Sequence, residues 1–262
     1  MPPEKVPDDF VPPEEVYIDV PNAYTPKEKF PEIHYSGVPA TTMVANFYGL
    51  NVSLDEVNKE VPQAQWGLST LSGGGTGNIV KFFEKRGFKA KSYGGSERDL
   101  KYHLSKGHPL IIWQFRNPSF IIKKTNSIEQ AGHSLHTRVV IGYKKINNQE
   151  YFIVHEGGMG TLADMVRQGP APTKPERGVY DIPESELIKW REYVEEQEKL
   201  KATLPSYVKT ESNVLEEKNH FIKRDDFLAM WQNFILNPFG LPFTNSPTPV
   251  KPNWTVLVYK EK

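Results

Sequence analysis

The sequence predicts an α+β fold, with helices packed against an antiparallel sheet. Two observations carry this. Helical patterns come first and strand patterns later, rather than alternating as βα units do. The best-marked strand pair, His136 to Tyr143 and Glu150 to His155, is joined by a turn at Asn147-Asn148 and so closes as an antiparallel hairpin.

Taken in order, residues 1–30 are punctuated by prolines (MPPEKVPDDFVPPEEVYIDVP) and form an extended arm across the surface. HYSGVPATTMVANFYGL, His34 to Leu50, is a polar opening followed by small and apolar residues. It predicts a helix from Gly37 to Tyr48, apolar on nearly every side and hence buried. SLDE, Ser53 to Glu56, is a capping box opening a second helix. A glycine stretch, GGGTG from Gly73 to Gly77, reads as a flexible connection. It could cradle an anion ahead of a helix, but it follows no clear strand and lacks the Lys-Ser/Thr pair of a phosphate loop. A helix from about Asn78 to Arg86, stopped by Gly87, and a strand near Phe88 to Tyr93 come next. Ser96 to Lys106 is a further capped helix closed by glycine, and PLIIWQF, Pro109 to Phe115, is a strand by its β-branched and aromatic content.

Beyond the hairpin the pattern loosens. PESELIKWREYVEEQEKLKA is charged and reads as a mostly solvated helix tied to the body by Trp190 and Tyr193. RDDFLAMWQNF is a short amphipathic helix with Phe227, Met230 and Trp231, and NWTVLVYKEK is a closing strand. Residues 31–262 therefore read as one domain with an insertion at about 157–223.

The 262 residues are 38% hydrophobic and 24% charged, enough for a core without metal or disulfide support. Basic and acidic residues balance at 32 each, which argues against nucleic acid or an anionic membrane as the main partner. The absence of cysteine excludes disulfides, thiolate metal ligands and a cysteine nucleophile. No apolar run approaches the roughly 20 residues that span a bilayer. The N-terminus lacks the basic start and apolar middle of a signal peptide. The expectation is a cytoplasmic protein, or a secreted one if the sequence is a processed form.

Nucleophilic catalysis of the thiol-peptidase type needs a nucleophile at a helix N-terminus, a histidine base and a group to orient that base. The candidates are Ser36, His136 and Glu156, the last two brought near each other by the hairpin. Each has a plainer reading. Ser36 fits a helix N-cap better than a nucleophile. His136 fits a base or a buried relic of an ancestral site equally well. Glu156 fits best as a solvated residue at a strand end. His133, His136 and His155 with Glu156 also outline a weaker metal alternative, since HSLH leads from loop into strand rather than lying on one helix face.

These segments resemble, in order and spacing, the bacteriocin-processing leader peptidases and their stand-alone relatives, the cysteine peptidase family numbered thirty-nine. SGVPATTMVANFYG is similar to their Cys-Gly-Pro-Ala or Cys-Gly-Val-Ala stretch running into AMVLNYYG, with Ser36 on the cysteine. HTRVVIGY resembles their HFVVVIGY, with His136 on the catalytic histidine, and IVHEG loosely resembles YVNDP, with Glu156 on the acidic position. GNIVKFFEKRGFKAKSYGGSERDLKYHLSKGHPLIIW follows their helix, strand, helix and strand, while DDFLAMWQNF and NWTVLVY resemble their EFLRRW and WALVV ending. The resemblance implies a papain-like fold without a cofactor or a metal. Three departures stand out: Ser36 replaces cysteine, PKEKFPEIHYS holds no upstream glutamine for an oxyanion, and Gly157 follows the acidic position instead of proline.

A helix dipole worth about 0.3–1 kcal/mol favours a thiolate but is far too little to ionise an alcohol. A lost oxyanion donor removes about 2.7–4 kcal/mol more. The expected function is therefore a catalytically degenerate homologue that binds a peptide or protein segment in a retained cleft. The alternatives are an active Ser36/His136/Glu156 hydrolase or acyltransferase on a peptide or thioester, an engineered serine standing for a native cysteine, and a structural component acting through its surface and arm.

Overall fold

The computed structural model describes residues 5–23, 36–61, 74–115, 135–156, 192, 195–208, 218–232 and 253–260. Seven strands form one antiparallel sheet: β1 (Glu15–Tyr17), β2 (Lys89–Gly94), β3 (Leu110–Phe115), β4 (Leu135–Ile146), β5 (Gln149–Glu156), β6 (His220–Lys223) and β7 (Trp254–Tyr259). Their order is β2-β7-β3-β4-β5-β6, and β1 pairs separately with β4. The helices are α1 (Gly37–Phe47), α2 (Leu54–Glu60), α3 (Gly74–Glu84), α4 (Glu97–Ser105) and α5 (Arg224–Gln232). Residues 195–201 are also helical.

The hairpin is tighter than the sequence suggests. Ile146 pairs with Gln149, so Asn147 and Asn148 alone make the turn, with φ of 49° and 65°. Two successive positive φ values match the twist of the flanking strands, and asparagine tolerates them better than other side-chain-bearing residues. The ladder slips by one residue at a bulge between Val140 and Gly142, and beyond it Arg138 lies opposite Glu156.

Helix α1 lies against β3 and β4 and packs with α2 and α3. Gly37 to Ala45 are buried without interruption, as expected for a helix apolar on nearly every side. Helices α4 and α5 cover the sheet around Tyr143 and Phe152. Phe227 stacks on Phe152 with centroids 4.1 Å apart, and the Lys101 ammonium lies 5.3 Å from the Tyr143 ring centroid. A buried aromatic pair adds about 0.5–1.5 kcal/mol to its area burial. The predicted capping box of Ser53 with Glu56 exists, the predicted cap at Ser96 is a second such box with Asp99, and Gly107 ends the α4 turn at φ +80°.

The arm is part of the sheet. β3 pairs β4 over Leu135 to Val140, and β1 takes the next stretch of the same strand, Gly142 to Lys144. Ile18 N–H continues the ladder to Ile141 O at 2.8 Å. Gly142 permits this approach, because a Cβ there would overlap the Val16 carbonyl oxygen. Upstream, Phe10 packs edge-on against Tyr102, and Arg98 donates to the Pro7 and Asp8 carbonyls. Downstream, buried His155 grips the chain. Asn219 N–H donates to its Nδ1 at 3.1 Å, so Nε2 carries the proton and donates to Val20 O at 2.8 Å.

One expectation is corrected. The GGGTG stretch is not a connection throughout, because α3 begins at Gly74. In the charged insertion, the described residues 195–201 are exposed or half-buried except at Gln197 and Leu200. Gln197 is buried and its side-chain amide meets both main-chain groups of Phe221, donating to O and accepting from N at 2.8 Å each. This closes the outer edge of β6, a strand that the sequence pattern does not announce. Trp190 and Tyr193 lie outside the described residues.

Candidate active site

Three helix starts carry serine, and they behave differently. Ser53 and Ser96 have extended backbones and accept the N–H of the third helical residue. Ser36 already has helical torsions, φ −58° and ψ −15°, and makes no cap bond through its side chain. Its hydroxyl instead accepts Thr137 N–H at 3.0 Å. The side-chain cap expected of Ser36 is therefore not made. Pro39, the third helical residue, has no N–H, so the donor that a serine cap accepts at α2 and α4 does not exist in α1.

His136 is the second residue of β4 and pairs in register with Gln114 on β3. It immediately precedes Thr137, so the Ser36 hydroxyl lies one residue along the backbone from the histidine position. Glu156 is the last residue of β5 and faces Arg138, two residues further along β4 than His136.

Glu156 is not a solvated strand end. Its side chain is 13% exposed, and its Oε1 accepts from Arg138 Nε at 2.6 Å, with the guanidinium NH2 also 2.6 Å away. Arg138 is buried. Its NH1 donates to Gln114 Oε1 at 3.0 Å and lies 3.9 Å from Met230 Sδ, while Gln114 Nε2 donates to Phe227 O at 3.0 Å. A buried guanidinium is tolerated only with partners for its charge and donors, and this chain of contacts supplies them across β3, β4, β5 and α5. Gln114 thus spends both ends of its amide within this cluster.

Arg138 and Gln114 were not singled out from the sequence. The one signal for them was the cation inside HTRVVIGY, since a charge in an otherwise apolar strand needs a buried partner.

The metal alternative loses His155, whose two ring nitrogens are both engaged by main-chain groups. Burial pushes that imidazole down to about 4. Among the described residues no three His, Cys, Asp or Glu side chains gather as a metal site, and His133 lies outside them. Among the same residues, no helix is long and apolar enough to cross a membrane.

No curated protein matches the chain in sequence. Among solved structures, the peptidase domain of Streptococcus ComA, a bi-functional ABC transporter involved in a quorum-sensing pathway, is similar at 13% identity. It covers 87% of this chain and 93% of that one, with a TM-score of 0.41. The model of the Peptidase_C39 like family matches residues 17–170, which include Ser36, His136, Glu156 and the strands that carry the last two. With an α+β architecture that sets helices on an antiparallel sheet, as in papain-like peptidases, the chain belongs to the Peptidase_C39-like family.

Proposed function

We propose that the chain is a catalytically degenerate peptidase homologue that binds a peptide or protein segment in a cleft beside Ser36. Family membership supports a peptidase-related role. The observation that carries the reading is the bond from Thr137 N–H to Ser36 Oγ, which keeps the start of α1 against the head of β4. The two walls between which a peptide would lie thus stay together, while the side chain at the nucleophile position is a weakly acidic alcohol. Serine attack needs a positioned general base and a prepared oxyanion site. Here the acid position is committed to Arg138, and the upstream glutamine has no counterpart.

A second reading, an active serine hydrolase or acyltransferase, is favoured by one fact. The Ser36 hydroxyl is not used to cap its helix and lies next to the histidine position.

One experiment separates them. The protein, Ser36→Ala and His136→Ala are treated with a fluorophosphonate probe, and a peptide library is screened against the protein and the cleft-filling variant Ser36→Phe. Peptide binding lost in Ser36→Phe, without probe labelling, is the expected result. Labelling abolished by both alanine variants replaces the proposal with the enzyme. No peptide signal at high concentration for either protein removes the binding role.

A further inference from the structure

We infer that Arg138, outside the three family positions, is the positioning residue of this site: it fixes the Glu156 carboxylate beside the Ser36–His136 region and cancels its charge there. The inference rests on reading Ser36, His136 and Glu156 as one site.

Residue 137 holds Ser36 through its main chain, and residue 138 holds Glu156 through its side chain. One short stretch of β4 therefore ties both the nucleophile position and the acid position. Arginine presents a rigid planar fork, so where the guanidinium is fixed the carboxylate follows. The guanidinium is fixed by Gln114, itself anchored on the main chain of α5, and lies against Met230. Glu156 thus takes its place from β3 and α5 through Arg138, and a group ionising at residue 36 meets a neutral ion pair instead of a lone carboxylate.

The chain has no cysteine, so Ser36→Cys introduces a single thiol whose alkylation rate by iodoacetamide reports its ionisation. The rate is followed from about pH 5 to about pH 10, a range that brackets an ordinary thiol, in Ser36→Cys alone and combined with Arg138→Met, Glu156→Gln, both together, Arg138→Lys, and His136→Ala. Folding of each is checked by near-ultraviolet circular dichroism.

Removing the guanidinium leaves net negative charge near the thiol and is expected to raise its apparent pKa by roughly half a unit to one unit. Glu156→Gln shifts it the other way. The Arg138→Met/Glu156→Gln pair restores the starting profile, whereas Arg138→Lys keeps the charge without the fork and gives a profile between those of Ser36→Cys alone and of Arg138→Met. The paired change replaces the ion pair with neutral side chains, a swap that buried sites often accept, so it remains informative if Arg138→Met alone does not fold.

Identical profiles for Ser36→Cys with and without Arg138→Met, both folded, overturn the inference. So does a double variant that keeps the shift of the single one, because the shift then comes from disturbed packing. A thiol at position 36 that is indifferent to His136→Ala refutes the underlying site reading instead, which is a separate result.

Discussion

The Ser36 hydroxyl accepts the main-chain N–H of Thr137 at 3.0 Å, across 101 residues of sequence. The bond joins a helix start to a strand head and leaves the helix without a side-chain cap, which is the reverse of what serine does at α2 and α4.

Ser36→Ala consequently leaves Thr137 N–H without its acceptor and is expected to destabilise the fold by about 1 kcal/mol. Ser53→Ala costs a similar amount by uncapping α2. The two losses differ in place. Amide hydrogen exchange at Thr137 accelerates only in Ser36→Ala, and an unchanged rate there would show that the bond contributes nothing.

Gly142→Ala drives a methyl group into the Val16 carbonyl and is expected to lift β1 from β4. Overpacking of this kind costs about 1–3 kcal/mol. The loss appears as a lower urea midpoint, together with faster exchange of the amides in Glu15 to Ile18. A stable variant with the arm still protected would contradict the close approach.

His155 links stability to pH. Its imidazole is held neutral, with burial pushing its pKa down to about 4, whereas an unfolded histidine titrates near 6.5. Above the unfolded value both states are neutral, and the stabilisation is intact. As the pH falls from about 6.5 toward about 4 the unfolded chain binds the proton first, so up to about 3 kcal/mol is lost across that window. Urea titrations at several pH values in the protein and in His155→Gln measure this, and the variant should flatten that part of the curve.

Gln197→Ala removes the amide that pairs with both main-chain groups of Phe221 and opens the β6 edge. The expected cost is about 1–3 kcal/mol, with faster exchange at Phe221 and more aggregation on heating. Unaltered exchange at Phe221 would assign the closing of that edge to other contacts.

Local chemistry was legible in the sequence where it acts over a few residues. The capping box at Ser53, the helix start at Ser96, the hairpin and its asparagine turn, and the buried character of α1 follow from neighbours in the chain. The site was less legible because it depends on register. Counted outward from the turn, a regular ladder sets Val139 opposite Glu156. The bulge between Val140 and Gly142 shifts the count by one and brings Arg138 there instead. No nearby residue pattern announces that slip, and it decides whether Glu156 meets a valine or a guanidinium. The addition of β1 to the sheet was equally hidden, since Glu15 finds Lys144 far along the chain and only Gly142 hints that something passes close.

Strand β7 separates β2 from β3, although it comes after every other described strand of the sheet and both of its neighbours lie at residues 89–115. While a ribosome is still producing this chain, two strand edges therefore wait unpaired for a segment that does not yet exist. The joining of β2 to the rest of the sheet consequently waits for Trp254 to Tyr259, and nascent chains stalled before Trp254 should be the aggregation-prone species that chaperones must hold.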